Sequence, residues 1–426
     1  MILYARIKIF DEIAGFVSWD NSRELAAFEY DKKFIVRGLE LSPIKMPMKN
    51  GVVYSFPELN RETYKGLPGM LADSLPDKFG NTLINKWLAE QGRDANSYNP
   101  VERLLYQGKR GMGALEFEPA ERTFSNIVTK IELETLVDAA RKALSDKEKL
   151  HSGLAGQDEI REIIKVGTSA GGARAKAVIA YNEKTGEICS GQLAAPQGFN
   201  HWLIKLDGVT NRKLGDPEHF GQIEYAYYQM VRACGITMTE SRLLSEGNRH
   251  HFMTRRFDRT ENGEKLHTQT LCGLAHFDFN MPAAYSYEQL FQTMRALRLP
   301  YYDAEQAYRR MVFNIAARNQ DDHTKNFSFI MDKNGVWRFA PAYDMTFAYN
   351  PAGNFTTQHQ LSANGKRDDF TRADLLQVAE NMSIKKANDI INEVIEAVSQ
   401  WKKFATELEI PKKIIEQIAK THRLDI

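Results

Sequence analysis

The sequence predicts an α+β protein with a strand-rich N-terminal subdomain, a mostly β middle lobe and a largely helical C-terminal lobe. Three observations carry that expectation. The first 56 residues break into short apolar runs separated by charged and turn residues, as in a meander. A second set of short runs, between about residues 160 and 257, surrounds one amphipathic helical stretch. From about residue 283 the apolar spacing turns helical and stays so to the end.

Composition bounds the answer. A chain of 426 residues with 43% hydrophobic content can bury two or three cores, which excludes a disordered chain and a small disulfide scaffold. A net charge of +1 argues against gripping nucleic acid by bulk charge. Cys189, Cys234 and Cys272 are scattered and show no C-x-x-C, so neither a disulfide framework nor a structural zinc site is expected. Arg6, Lys8 and Asp11 interrupt the opening MILYARIKIFDE, which therefore lacks a signal-peptide core. No run approaches about 18 uncharged apolar residues, so no membrane span is expected, and the expected location is cytoplasmic.

Taken in order, Ile2–Phe10, Ile13–Trp19 and Glu24–Tyr30 read as strands. After the phrase LADSLPDKFGN, Asn81–Glu90 and Pro100–Gln107 read as helices, and this first domain is expected to span 1–122. Ile131–Lys149 is a charged amphipathic helix leading into a second domain, 123–260. There Ile163–Val166 and Ala177–Tyr181 are candidate strands around a glycine-rich turn, and Trp202–Leu206 is another. Glu218–Cys234 has helical spacing, with Gly235 placed to end it. Phe252–Phe257 is one more strand. The third domain, 261–426, opens on a buried helix that Asp303 is placed to cap, and Leu375 to Val398 continue the helical pattern.

The densest local signal follows that buried helix: NQDDHTKNFSFI, Asn319 to Ile330. Phe327–Ile330 and Val336–Phe339 read as a hairpin turning at Lys333-Asn334-Gly335, after which Asp344 stands in PAYDMTF. The hairpin should bring Asp344 back beside Asp321 and Asn326. Phosphoryl transfer needs such a pair of loops: a carboxylate to accept the proton of the attacking hydroxyl, and oxygen ligands to hold Mg²⁺ against nucleotide phosphates. Asp321 lies five residues before Asn326, the spacing of a kinase-type base and metal ligand, and His323 can contact a phosphate. A lone loop of this kind also reads as a solvated turn; the ordered set with Asp344 is what separates the two readings.

Upstream residues can be fitted to the same chemistry. VGTSAGGARAKAV offers glycines whose backbone could approach a phosphate, without the spacing of a P-loop, and a plain hairpin turn fits it too. Ser169 and Thr168 add hydroxyls there. Lys205 alternates away from Trp202, Ile204 and Leu206, so it either pairs phosphates or faces solvent. Glu224 on the next helix either orients Lys205 or lies on the surface. Arg174 and Lys176 either meet anions or face water.

These phrases together resemble the HipA-like serine/threonine kinase toxins of bacterial type II toxin–antitoxin systems. LADSLPDKFGN, TSAGGARAK, HWLIKLDG, IEYAYYQMVRACGI, RRFDR, DDHTKNFSF and APAYDM occur in the family's order over nearly the whole chain. The resemblance implies a two-lobed, protein-kinase-like fold and an ATP- and Mg²⁺-dependent protein kinase. Asp321 takes the base position, Asn326 and Asp344 the Mg²⁺ positions, and Lys205 the nucleotide-phosphate position. Ser169, Ala170, Gly171, Gly172, Ala173, Arg174 and Lys176 take the phosphate loop, with Ser169 the site of self-inactivating autophosphorylation. It further implies a small helix-turn-helix antitoxin as partner, operator DNA bound through that complex, and a target in translation such as an aminoacyl-tRNA synthetase. Arg255 stands where some members carry an acidic residue, and no adenine-contact residues are assigned. Two other functions remain open: a same-fold kinase acting on a small molecule or lipid, and a non-catalytic co-repressor partner of a DNA-binding protein.

Overall fold

The computed structural model describes residues 4–90, 92–94, 97–120, 132–145, 175–192, 194–209, 219–353 and 355–426. Three antiparallel sheets organise it. The first has the order β4-β3-β2-β1-β5, from β1 (Tyr4–Ile9), β2 (Glu12–Asp20), β3 (Leu25–Tyr30), β4 (Val53–Tyr54) and β5 (Glu116–Glu118). Alternation decides its faces: Ala5, Ile7 and Ile9 point into the core while Tyr4 and Arg6 face out. The short β5 pairs with β1 and was not anticipated; at three residues its run carries no periodic signal.

The second sheet has the order β7-β6-β8-β10-β9, from β6 (Lys176–Tyr181), β7 (Ile188–Ser190), β8 (Asn200–Lys205), β9 (Ser241–Glu246) and β10 (Arg249–Arg255). The helix Phe220–Ala233 packs on it, burying Ile223, Tyr227 and Met230. Gly235 then takes a φ of +73°, the left-handed conformation that ends a helix at least cost. The expected strand at Ile163–Val166 lies outside the described residues.

The third sheet, β11-β12-β13, joins β11 (His267–Thr270) to the hairpin β12 (Ser328–Met331) and β13 (Trp337–Phe339). Each hairpin strand begins one residue later than expected. The turn is where the sequence placed it: Asp332 accepts hydrogen bonds from Asn334 N at 2.9 Å and Val336 N at 3.0 Å, and Gly335 has φ +83°. The preceding helix, Tyr301–Ala316, buries Ala307, Tyr308, Met311, Val312 and Ile315. Its N-cap is Pro300, not Asp303. The Asp303 carboxylate instead accepts from Phe339 N at 2.9 Å and from Arg338 at 2.8 and 2.9 Å, a tertiary demand stronger than a local cap.

One apolar core runs continuously from the first sheet to the C-terminal helices; a second joins the helix Lys78–Glu90 to the second sheet. The N-terminal subdomain is pinned by polar contacts to the third sheet and to the loop that follows the helix Leu271–Ala275. Asp73 accepts from Thr270 N at 2.7 Å, Trp337 Nε1 donates to Glu40 O at 3.1 Å, and Asn60 Nδ2 donates to Asp278 at 2.7 Å. Gly69 and Gly273 let the two backbones approach closely there, because a Cβ on Gly273 would lie 2.1 Å from the Asp73 carboxylate. All three cysteines are buried and free. Among the described residues no helix is long and apolar enough to cross a membrane.

Candidate active site

Lys205 ends β8, and its ammonium donates to two carboxylates from different parts of the chain. Glu224 Oε1, on the helix Phe220–Ala233, and Asp344 Oδ1, in the loop after β13, each lie 2.6 Å from Nζ. Glu224 is fully buried, so the lysine is neither a surface residue nor alone, and Glu224 is its positioning partner rather than a surface carboxylate. Lys176 stands opposite Lys205 in the β6–β8 register and is also buried. Two like charges side by side on a sheet face are unfavourable alone, and the two carboxylates balance them.

The charges set one another's protonation. Burial opposes ionisation of Asp344, yet Lys205 and Lys176 hold its carboxyl well below the ordinary range. Burial likewise opposes the charge on Lys205, and Asp344 and Glu224 outweigh it and push the ammonium up. For Glu224 burial wins over Lys205 and its carboxyl is pushed up. Asp344 also has a φ of +51°, sparsely populated for a residue with a side chain and often found at functional sites.

Asp344 reaches the Asp321–Asn326 loop through its neighbour Tyr343. The Tyr343 hydroxyl donates to Lys325 O at 2.6 Å and lies 2.5 Å from Ser328 Oγ. Inside the loop, Asn326 Nδ2 donates to Asp321 O at 2.7 Å, which closes the five-residue spacing. Asp321 keeps half of its side chain exposed, with His323 Nε2 at 3.8 Å from its carboxylate. His323 rests against Phe279 and accepts from Lys325 N at 3.2 Å. The structure thus brings together Lys176, Lys205, Glu224 and Asp344, and ties them to the loop of Asp321, His323 and Asn326. Ser169, Ala170, Gly171, Gly172, Ala173 and Arg174 lie outside the described residues.

Comparison with known proteins identifies the family and the fold. Residues 168–402 match the family model of the HipA-like C-terminal domain, and residues 5–118 match that of the HipA N-terminal domain. The chain belongs to the HipA family. A putative kinase of Haemophilus influenzae is 24% identical over 234 residues, 47% of this chain and 67% of that protein. HipA of Shewanella oneidensis MR-1, solved with HipB and operator DNA, superposes with a TM-score of 0.69 at 17% identity. That match covers 98% of this chain and 94% of the other, so the fold is the two-lobed, kinase-like HipA fold.

Sequence reasoning missed what supports the loop of this HipA-family chain. Asp322, beside Asp321, is buried and accepts from Tyr287 OH at 2.7 Å and Gln360 N at 2.7 Å, with His359 Nδ1 at 2.8 Å. Burial opposes its charge, and His359 and these hydrogen bonds hold its carboxyl down. A second buried carboxylate, Asp258, binds Arg256 and Arg259 and accepts from Gly113 N at 2.7 Å. RFDR is the only trace either network leaves in the sequence.

The donors suit a magnesium ion. Asn326 spends its amide nitrogen on Asp321 O, which leaves its amide oxygen, and Asp344 offers a carboxylate. Two hard oxygen donors, completed by phosphates and water, are a usual protein contribution to Mg²⁺. Among the described residues no group of three or more His, Cys, Asp or Glu could hold a metal without such help.

Proposed function

We propose that this chain is an ATP- and Mg²⁺-dependent serine/threonine protein kinase serving as the toxin of a toxin–antitoxin pair. The observation that carries the reading is Lys205 held at 2.6 Å by both Glu224 and Asp344, beside a loop with Asp321 five residues before Asn326. Catalysis of phosphoryl transfer rests on positioning and electrostatics, and these residues divide that work.

Asp321 accepts the proton of the attacking hydroxyl. The hydroxyl oxygen bonds to the γ-phosphorus as the bond to the departing ADP oxygen breaks. Lys205, oriented by Glu224, holds the α- and β-phosphates, and His323 meets a phosphate oxygen. Asn326 and Asp344 would hold Mg²⁺, which would supply positive charge against the phosphates. Lys176 adds positive potential, and Ser169 to Arg174 match the family's phosphate-loop positions in sequence. A phosphate on Ser169 would place about two negative charges where nucleotide phosphates belong, which accounts for self-inactivation. The Shewanella protein's complex with HipB and operator DNA supports a small helix-turn-helix antitoxin as partner, with DNA reached through it. The target class is a protein of translation, such as an aminoacyl-tRNA synthetase.

The test is transfer of labelled γ-phosphate by the purified chain in Mg²⁺, followed by mass spectrometry. Label on Ser169, absent from an Asp321→Ala protein, is expected. Equal labelling of the Asp321→Ala protein would overturn the reading.

A further inference from the structure

Residues 277–285 form a loop that adjoins the loop of Asp321 and Asn326 and takes no part in the chemistry above. Thr324 Oγ1 donates to Phe277 O at 2.6 Å. The Phe279 ring lies 5.5 Å, centre to centre, from the His323 ring, and the Lys325 ammonium sits over it at 4.7 Å. His323 Nε2 is in turn 3.8 Å from the Asp321 carboxylate. A run of direct neighbours thus leads from the candidate base to Phe279.

Beyond Phe279 the loop is exposed and apolar. Met281 is 51% exposed, and Pro282, Ala283 and Ala284 are exposed with it. Four consecutive apolar residues facing water mark a contact surface rather than ordinary scatter. The loop is nonetheless held in place. The buried Asp278 carboxylate accepts from Asn60 Nδ2 at 2.7 Å, from Asn280 N at 2.9 Å and from Thr63 Oγ1. Asn280 turns back to donate to Thr63 Oγ1 at 2.8 Å. Tyr285 stacks on Phe277, and its hydroxyl accepts from Asp278 N at 3.0 Å. Ala283 has a φ of +70° while its N donates to Gln360 O at 3.2 Å, a conformation that a residue with a side chain keeps where its surroundings fix it. A ledge already fixed loses little freedom when a partner arrives.

We propose that this ledge, Phe279 with Met281 and Pro282, receives an apolar side chain that flanks the accepting hydroxyl of a protein substrate. The inference rests on the protein-kinase reading above. Position supports it: a serine placed at Asp321 carries its chain neighbours with it at about 3.8 Å per residue, and the ledge is what they meet on this side. Shape supports it too, because an open ledge suits an extended polypeptide, whereas a small molecule needs a concave site that buries most of its surface. Charge selects the class. Lys325 already occupies a face of the Phe279 ring, so a basic flanking residue gains nothing there and meets a like charge.

The test is a set of initial rates on serine-centred peptides, with each flanking position fixed in turn as Leu, Met, Ala, Lys or Glu. Leu and Met at one position within two residues of the serine should exceed Ala there by roughly five- to tenfold, and Lys should be poorest. This comparison needs no variant. Met281→Glu changes an exposed side chain; it should remove the preference for Leu and favour Lys at the same position, with the change carried by the peptide KM. Val336→Glu puts the same charge on an exposed residue of the hairpin turn and should keep the parent preference. Equal rates for Leu, Ala and Lys at every flanking position, with label still entering the chain itself, would overturn this inference and leave the kinase reading standing. Label in the chain and none in any peptide would do the same, as would a preference retained by Met281→Glu or lost in Val336→Glu. No label in the chain or in any peptide would overturn the kinase reading and this inference with it.

Discussion

Lys205→Met tests the charge network through its pH dependence. Methionine keeps the length of the side chain and removes the cation that two carboxylates share. Both oxygens lie 2.6 Å from the same nitrogen, so they are no farther apart than twice that distance. Without the lysine they face each other with Lys176 nearby and, for Asp344, His323. Breaking a buried ion pair by removing one partner costs about 3–5 kcal/mol. The Asp344 side chain is 31% exposed and can rehydrate, whereas Glu224 is fully buried, so the low end, about 3 kcal/mol at pH 8, is expected. In the parent protein Asp344 titrates low, so its contribution is present above the unfolded carboxylate value of about 3.9 and is lost only as pH falls through its lower folded value. Lys205 titrates high, so its contribution is present below about 10.4 and is lost as pH rises through its higher folded value. Between pH 5 and 8 the pair's contribution is therefore flat. In the variant, Glu224 loses the ammonium that opposed the effect of burial, so its carboxyl rises further than in the parent, and that added penalty is relieved as pH falls towards its unfolded value of about 4.3. The deficit should shrink by roughly 1–2 kcal/mol from pH 8 to pH 5. Urea unfolding followed by tryptophan fluorescence measures it, with buried Trp202 on the same strand. A deficit below about 1 kcal/mol at pH 8, or one identical at both pH values, would refute the reasoning.

Three further outcomes are expected. Asp321→Asn should lower phosphate transfer by about 10²–10⁴-fold, with nucleotide affinity by calorimetry unchanged, because the half-exposed carboxylate supports little of the fold. Asp322→Ala strands Tyr287 OH, Gln360 N and His359 in a buried site and should cost about 3–5 kcal/mol in denaturant unfolding, well above the effect at its neighbour. Gly273→Ala places a methyl group 2.1 Å from the Asp73 carboxylate and 2.9 Å from Gly69 O, which must part the N-terminal subdomain from the third sheet. A loss of about 1–3 kcal/mol, with faster amide exchange around Gly69 and Thr270, is the expected result.

The contrast between Asp321 and Asp322 explains how far the sequence could be read. Both are aspartates in one polar loop, and spacing to Asn326 singles out the first. The second is buried by Tyr287, His359 and Gln360, which come from 35 or more residues away and leave no local mark. Glu224 shows the same limit from the other side. It follows Ile223 at the edge of an apolar stripe, where period alone predicts exposure, and only a lysine from another strand makes its burial tolerable. Asp303 looked like a helix cap because capping is local; Arg338 and the Phe339 amide, its real partners, are not. What was legible was whatever the chain encodes at short range: the meander, the hairpin turn at Gly335, the helical stripes and the order of Asp321, Asn326 and Asp344. The unread residues are buried charges satisfied across elements, at the joints where the subdomain, lobes and loops meet. A buried charge needs its partners in place at once, so these joints couple the folding of distant segments to the shape of the site. Lys205 is the sharpest case, because the strand, the helix and the loop after β13 must all be seated before its ammonium is satisfied.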